Sequence, residues 1–293
     1  MKSSYLTNLV LVCVIAALFW FSQQATTPED ASNSFQHIDV HAINDIQLKR
    51  ENSDDIQLLK QDINWHIVQP INAAANTTRV NLLLSLLDSP SHSQLIHPND
   101  ETLEQLGLKP RKLSLQLNEH LFVFGDREPL NKHRYVLYQN TVYLMDDNIT
   151  ALLSANANSL INNRLIASQY KINSIQLPLL DGLKLSATDT IAIELNNSHW
   201  QSLPAINSTD KLAKLIEFWQ QAEAMQVIPV TEENIASVEN KQVTITFEEL
   251  NTPAIFLIQL TDRNLFITDQ NKKLKYQFPA AMAQQLFINK ESD

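Results

Sequence analysis

The chain has 293 residues, room for roughly two domains of ordinary size, and its 44% hydrophobic and 18% charged residues are the balance of a folded protein. A net charge of −10 with no basic run argues against nucleic acid or an anionic membrane surface as the main partner, since both are bound through clustered Lys and Arg. Three glycines, Gly107, Gly125 and Gly182, lie too far apart to write a P-loop or a dinucleotide fingerprint, so nucleotide binding in those folds is excluded as well.

The N-terminus reads as a membrane anchor. Leu9–Phe21 is a run of thirteen apolar residues, and no charge occurs between Lys2 and Glu29. With its uncharged flanks the run can form a helix at the short end of a bilayer span, and Trp20 and Phe21 stand where an interfacial aromatic belt would. A cleaved signal peptide ending at Ala25 would place Gln23 where a small residue is wanted, and a lipoprotein cut before Cys13 would follow Val12. Cys13 is the only cysteine, so neither an internal disulfide nor a Cys-rich zinc site can form. Lys2 before the helix and Glu29 and Asp30 after it orient the N-terminus inward. The expectation is a single-pass inner-membrane protein with residues 1–24 as anchor, 25–40 as a polar tether, and the bulk in the periplasm.

The remainder reads as one unit written twice. Ile43–Leu48, INDIQL, returns as Ile172–Leu177, INSIQL. Downstream, Trp65 is answered by Trp200, Pro70 by Pro204 and Asn72 by Asn207. The stripe Val80, Leu83, Leu84, Leu87 is answered by Leu212, Leu215, Ile216, Trp219, and Leu113, Leu115, Leu117 by Val243, Ile245, Phe247. Pro98 and Leu103 pair with Pro229 and Ile235, and every lag falls between 129 and 135 residues. An ordered series at a near-constant lag marks a duplicated structural unit.

In the first copy, residues 41–165, alternation at Ile43, Ile46, Leu48, then Ile56, Leu58, then Ile63, Trp65, Ile67 predicts strands that turn at Asp62 and Asn64 and stop at Pro70. Thr77 or Thr78 is expected to cap a helix bearing the Val80–Leu87 stripe, and Asn99 or Asp100 a short one closed by Gly107. Four strands at Leu113–Leu117, Leu121–Phe124, Tyr135–Tyr138 and Val142–Met145 follow, then a helix near Ile149–Leu153. The second copy, residues 166–290, repeats this order. It has a longer first turn at Pro178–Asp189, a main helix reaching about Met225, strands from Val243 to Phe278, and a last helix over Ala280–Phe287. Strands grouped before and after helices argue for α+β units with mainly antiparallel sheets.

No stretch spells out a reaction. His37, Asp39 and His41 would share a face if they lay on a strand, but a trio without a fourth ligand reads better as a solvated strand start. His66 and His199 flank Trp65 and Trp200 on opposite sides, while His92, His97, His120 and His133 fall in loops. Ser168 and Lys171 match an S-x-x-K spacing with no K-[ST]-G element to complete it. Asp146–Asp147 and Glu232–Glu233 are adjacent acids where turns and helix N-termini want them. Trp65 and Trp200 read as core packing rather than ligand stacking, because both copies carry one. The sequence thus nominates no catalytic, cofactor-binding or metal-ligating residue.

The order of W-H-I-V-Q-P at Trp65–Pro70, the leucine helix, G-L-K-P at Gly107–Pro110, F-G at Phe124–Gly125 and Y-V at Tyr135–Val136 resembles the bacterial DUF4340 family from about Ile43 to Leu165. The resemblance implies a membrane-anchored protein of unknown activity, in many cases encoded beside ABC transporters of the gliding-motility type, and supplies no catalytic residues. The resulting expectation is a non-enzymatic, membrane-tethered accessory or scaffold protein that contacts ABC transporter subunits or other envelope proteins. A binding module for a glycan or peptide held between the two copies is the alternative, and an envelope hydrolase with converging carboxylates the third reading.

Overall fold

A computed structural model describes residues 35, 37–182, 184–206, 208–231 and 241–290. The anchor at 1–24, most of the tether, Asn207, Ile235 and the acidic pair Glu232–Glu233 lie outside the described residues. Among the described residues no helix is long and apolar enough to cross a membrane.

The chain is α+β and rich in antiparallel sheet, with few and short helices. It divides into two compact units, Met1–Ile43 with Leu82–Thr150, and Asn44–Asn81 with Ala151–Asp293. In the second unit β1 (Asp45–Arg50), β2 (Ile56–Gln61), β3 (Asn64–Gln69) and β4 (Ala73–Ala74) pair in the order β4-β3-β2-β1. Alternation holds at Ile46, Leu48, Ile56, Leu58, Trp65 and Ile67, all buried, whereas Ile63 falls in the β2–β3 turn and is 85% exposed. Asp62 takes the positive φ of the β2–β3 turn, and β3 ends at the cis Gln69–Pro70 bond.

The same unit contains an eight-stranded sheet in the order β12-β11-β10-β14-β15-β16-β17-β13. Its strands are β10 (Ile172–Asp181), β11 (Lys184–Asn196), β12 (His199–Leu203), β13 (Gln226–Pro229), β14 (Lys241–Phe247), β15 (Ala254–Leu260), β16 (Asn264–Asp269) and β17 (Leu274–Pro279). The other unit holds β5 (Ser91–Ile96), β6 (Leu113–Leu117), β7 (His120–Arg127), β8 (Arg134–Tyr138) and β9 (Thr141–Met145) in the order β6-β7-β8-β9-β5. The run β12-β11-β10 reproduces β3-β2-β1, and β14-β15-β16-β17-β13 reproduces β6-β7-β8-β9-β5, the first strand in sequence of each five-stranded run lying at its edge beside the last. The two sheets thus resemble tandem copies, and β12 even ends at a cis Leu203–Pro204 bond as β3 does at Pro70.

The helices depart from expectation in detail. Helix α1 (Thr77–Leu84) begins one residue later than its cap, Asn76, whose Oδ1 accepts from the Arg79 amide at 3.1 Å, and its last turn tightens to a 3-10 turn over Ser85–Asp88. Helix α2 (Asp100–Gln105) is capped by Asn99, and Gly107 ends it at φ +68°. Helix α3 spans only Thr150–Leu153. Helix α4 (Thr209–Gln221) stops short of Met225, and burial of its stripe Leu212, Leu215, Ile216 and Trp219 accounts for its amphipathic pattern. Helix α5 (Ala283–Leu286) follows a 3-10 turn at Ala280–Met282. The long turn expected over Pro178–Asp189 is instead mostly strand: β10 and β11 continue to Asp181 and from Lys184, with the register shift between Pro178 and Leu180 absorbing the proline.

Each face has a distinct core. In the unit of β5–β9, Leu108, Val123 and Val142 are buried on one side under Leu103 and Leu106. An aromatic group gathers elsewhere in that unit, where Phe122 stacks on Tyr138 with centroids 4.7 Å apart and Phe35 meets both rings edge-on. In the second sheet Trp219 packs near Phe256 and Phe287, with centroids 6.4 and 5.9 Å away.

Candidate functional site

Strands β8, β9 and β5 are neighbours, and their register decides which side chains meet at one end. The β8–β9 hairpin pairs Arg134 with Met145, so His133, just before β8, stands opposite Asp146, just after β9. On the other side β5 pairs Ser91 with Met145 and Ser93 with Leu144, so His92 is the extra residue of a bulge. A bulge re-aims the side chain it carries, and Ser91 Oγ donating to the Ser93 carbonyl at 2.9 Å helps hold it.

The result is a cluster that sequence distance hid. The His92 and His133 rings lie face to face, 3.9 Å between centroids and 9° apart. His92 Nε2 is 2.9 Å and His133 Nε2 3.5 Å from the same Asp146 Oδ1. The donor atoms of the three residues all lie within 4.8 Å of one another. His92 and Asp146 are 38% and 44% exposed at the side chain, so the cluster opens to solvent on one side, whereas His133 is 21% exposed. On its inner side His133 Nδ1 is buried with no hydrogen-bond partner among the described residues, and Glu128 Oε2 lies 3.8 Å away.

Asp147 faces a different set. Its Oδ2 accepts from Arg127 Nε and from Arg134 Nη2, the latter at 2.8 Å, and Arg134 Nη1 also donates to the Gly125 carbonyl at 2.6 Å. Burial pushes the Asp147 carboxyl up, but hydrogen bonds led by that from Arg134 outweigh it and hold the group below the ordinary carboxylate value. Arg127 and Arg134 face each other across β7 and β8, and Asp147 neutralises that pairing. The two adjacent acids therefore divide their labour, Asp147 to the guanidinium groups and Asp146 to the imidazoles.

The residues weighed from the sequence fare as follows. His37, Asp39 and His41 are not on a strand: Asp39 caps a 3-10 turn at Val40–Ala42 and accepts from the His41 amide at 2.8 Å. Trp65 is buried at 5% exposure, as a core residue should be, whereas Trp200 is half-buried. Ser168 sits in a turn that lines a polar recess with Asn64, Asn76, Asn162, Asn163 and Gln169, and Lys171 donates its amide to Glu249 at 2.9 Å. The recess, about 560 Å³ with no aromatic ring among its described lining residues, is a polar surface without a stacking platform.

An outer face also stands out. Strand β5 is the edge of its run, pairing among the described residues with β9 alone, and every residue after Ser91 is exposed. Leu95 and Ile96 are 45% and 62% exposed there.

The architecture defines an α+β protein built from repeated antiparallel runs. A family model described as a domain of unknown function (DUF4340) matches residues 65–242, more than half of the chain, and the chain belongs to that family. The match starts later than the resemblance at Ile43 and runs past Leu165 into β14, so the family signature spans parts of both copies. No curated protein and no solved structure matches the chain.

Proposed function

We propose that this protein is a non-enzymatic accessory or scaffold, tethered to the bacterial inner membrane by residues 1–24, with its folded bulk in the periplasm. Its partners are ABC transporter subunits or another envelope complex. The observation that carries the reading is the β5 edge: an outermost strand with Leu95 and Ile96 turned to solvent. Folded proteins blunt such edges with charge, proline or a covering element, because an open edge recruits further strands. An outermost strand that carries two exposed apolar side chains suits a protein whose work is to add a partner's strand to its own sheet. The apolar run Leu9–Phe21 and the charge asymmetry around it support the placement.

Purification from detergent-solubilised membranes, with mass spectrometry of what co-purifies, tests the reading. Recovery of ABC transporter subunits with the native chain, and their loss with Ile96→Lys, is the expected result. Recovery of the protein alone sinks it. A reporter fused after residue 40 tests the topology separately, and cytoplasmic reporter activity overturns the periplasmic placement.

A further inference from the structure

We propose that His92, His133 and Asp146 form a binding site for a borderline divalent transition-metal ion of the Zn²⁺ class. The inference is independent of the scaffold reading, since it rests on a side-chain cluster and not on the β5 edge as a docking surface. Two imidazoles and one carboxylate are a donor set that such ions prefer, whereas Ca²⁺ and Mg²⁺ want oxygen alone. Bonds of about 2.0–2.2 Å in a tetrahedral sphere set donor atoms about 3.3–3.5 Å apart. The His92–Asp146 and His133–Asp146 separations of 2.9 and 3.5 Å bracket that spacing. All three donors lie within 4.8 Å of one another, and closure requires the two stacked rings, 9° apart, to tilt open so that their in-plane lone pairs meet at one point.

The surroundings favour a cation in three ways. First, one ring nitrogen of each stacked imidazole approaches the same carboxylate oxygen, so nitrogen and oxygen donors already converge on one place. Second, Arg127 and Arg134 are committed to Asp147, which leaves Asp146 and Glu128 as the negative groups nearest the imidazoles. Third, His133 Nδ1 is buried and unpaired, 3.8 Å from Glu128. Metal on Nε2 places the ring proton on Nδ1, directed at a carboxylate, which is the arrangement that orients metal-ligating histidines. Glu128 is itself held in place: its Oε2 accepts from the Asn131 amide at 3.1 Å, and its amide donates to the His133 carbonyl at 2.7 Å.

Three protein ligands leave a fourth position on the solvent side, where His92 and Asp146 are exposed. Water or a partner's side chain fills it. Because the ligands come from the β5 bulge, the residue before β8 and the residue after β9, the ion ties the edge strand to the next two strands inward at one end.

The test uses the full chain in detergent, purified without a polyhistidine tag, stripped with chelator, and titrated calorimetrically with Zn²⁺. Binding at one ion per chain is expected, weakened at least tenfold in each of His92→Ala, His133→Ala and Asp146→Ala. Glu128→Gln should weaken it less, and His97→Ala should leave it unchanged. Circular dichroism of each metal-free variant separates lost ligation from lost folding. Co²⁺ in place of Zn²⁺ should give the intense visible absorption of tetrahedral coordination, absent in His133→Ala. No saturable binding by the native chain, or equal affinity in the three folded ligand variants, overturns the proposal.

Discussion

A Cβ placed on Gly125 would stand 2.3 Å from the carbonyl oxygen of Leu106, closer than real Cβ atoms approach anything. The approach is used: the neighbouring Asp126 amide donates to that same carbonyl at 2.8 Å. Gly107, in the left-handed region at φ +68°, faces Asp126 in turn, and its own added Cβ would meet the carboxylate at 2.6 Å. The G-L-K-P and F-G stretches are thus two halves of one close backbone contact that brings α2 and Leu108 down onto the β7 face. Gly125→Ala should lower stability by about 2 kcal/mol, because the obstructing atoms are backbone and cannot swing aside. Gly182→Ala is the comparison, with φ +61° but open space around it, and should cost about 1 kcal/mol from backbone strain alone. Urea midpoints of the two variants check the order.

Asp147 ties stability to acid. Its carboxyl is held below the ordinary value of 3.8 in the folded protein, so the unfolded chain binds the proton more readily. The contribution is present above the unfolded value and lost as pH falls through the folded one. Unfolding free energy should therefore drop on acidification below about pH 4, and more steeply in the native chain than in Asp147→Asn. At neutral pH that variant should lose about 3 kcal/mol, because it leaves two guanidinium groups facing across β7 and β8 without their counter-charge. Urea titrations at pH 7 and in the acid range distinguish this from a simple packing defect, which would be independent of pH.

The alkaline side has its own sensor. Tyr276, on β17 opposite Val227 and Ile267, is pushed up from 10.0 by burial and by Asp269. The unfolded chain then loses its phenolic proton first, so the contribution is complete below about pH 10 and declines as pH rises beyond it. Tyr276→Phe should flatten that decline. An unchanged alkaline slope in thermal unfolding would remove Tyr276 from the account.

How much of this was legible depends on where each residue's burial comes from. Ile46, Leu48, Leu115, Val243 and Ile245 sit on strands with one buried face, so alternation betrayed both strands and duplication. Strand β5 is an edge with only Ser91 buried, and a strand exposed on both faces writes no period into its sequence. Pro178 and Gly182 looked like a turn because a proline is normally barred from a ladder, and the register shift that accommodates it has no local signature. The His–Asp cluster was half readable. Placing the two-residue turn at Gln139–Asn140 sets Arg134 opposite Met145, hence His133 opposite Asp146. His92 could not be added without β5 and its bulge. His37, Asp39 and His41 lie in a turn and not at a strand start, because Asp39 spends its carboxylate on a cap, a competition that favours turns over strands.

Trp219 shows what the duplication permits one copy to change. It occupies the place that Leu87 holds in the first stripe, and both are buried. The indole adds a bond the leucine cannot make: Nε1 donates to the Leu286 carbonyl at 2.7 Å, fully enclosed, and so fastens α4 to α5. Trp219→Phe removes the donor and leaves that carbonyl unsatisfied, on top of a small void beside Phe256 and Phe287. The sum should be about 3 kcal/mol. Trp219→Ala should cost about 4–5 kcal/mol, more than the about 2–4 kcal/mol expected for Leu87→Ala, where only packing is lost. Denaturant unfolding of the three variants decides the matter. If Trp219→Phe proves neutral, the α4–α5 fastening carries no stability, and the larger side chain in the second copy is packing alone.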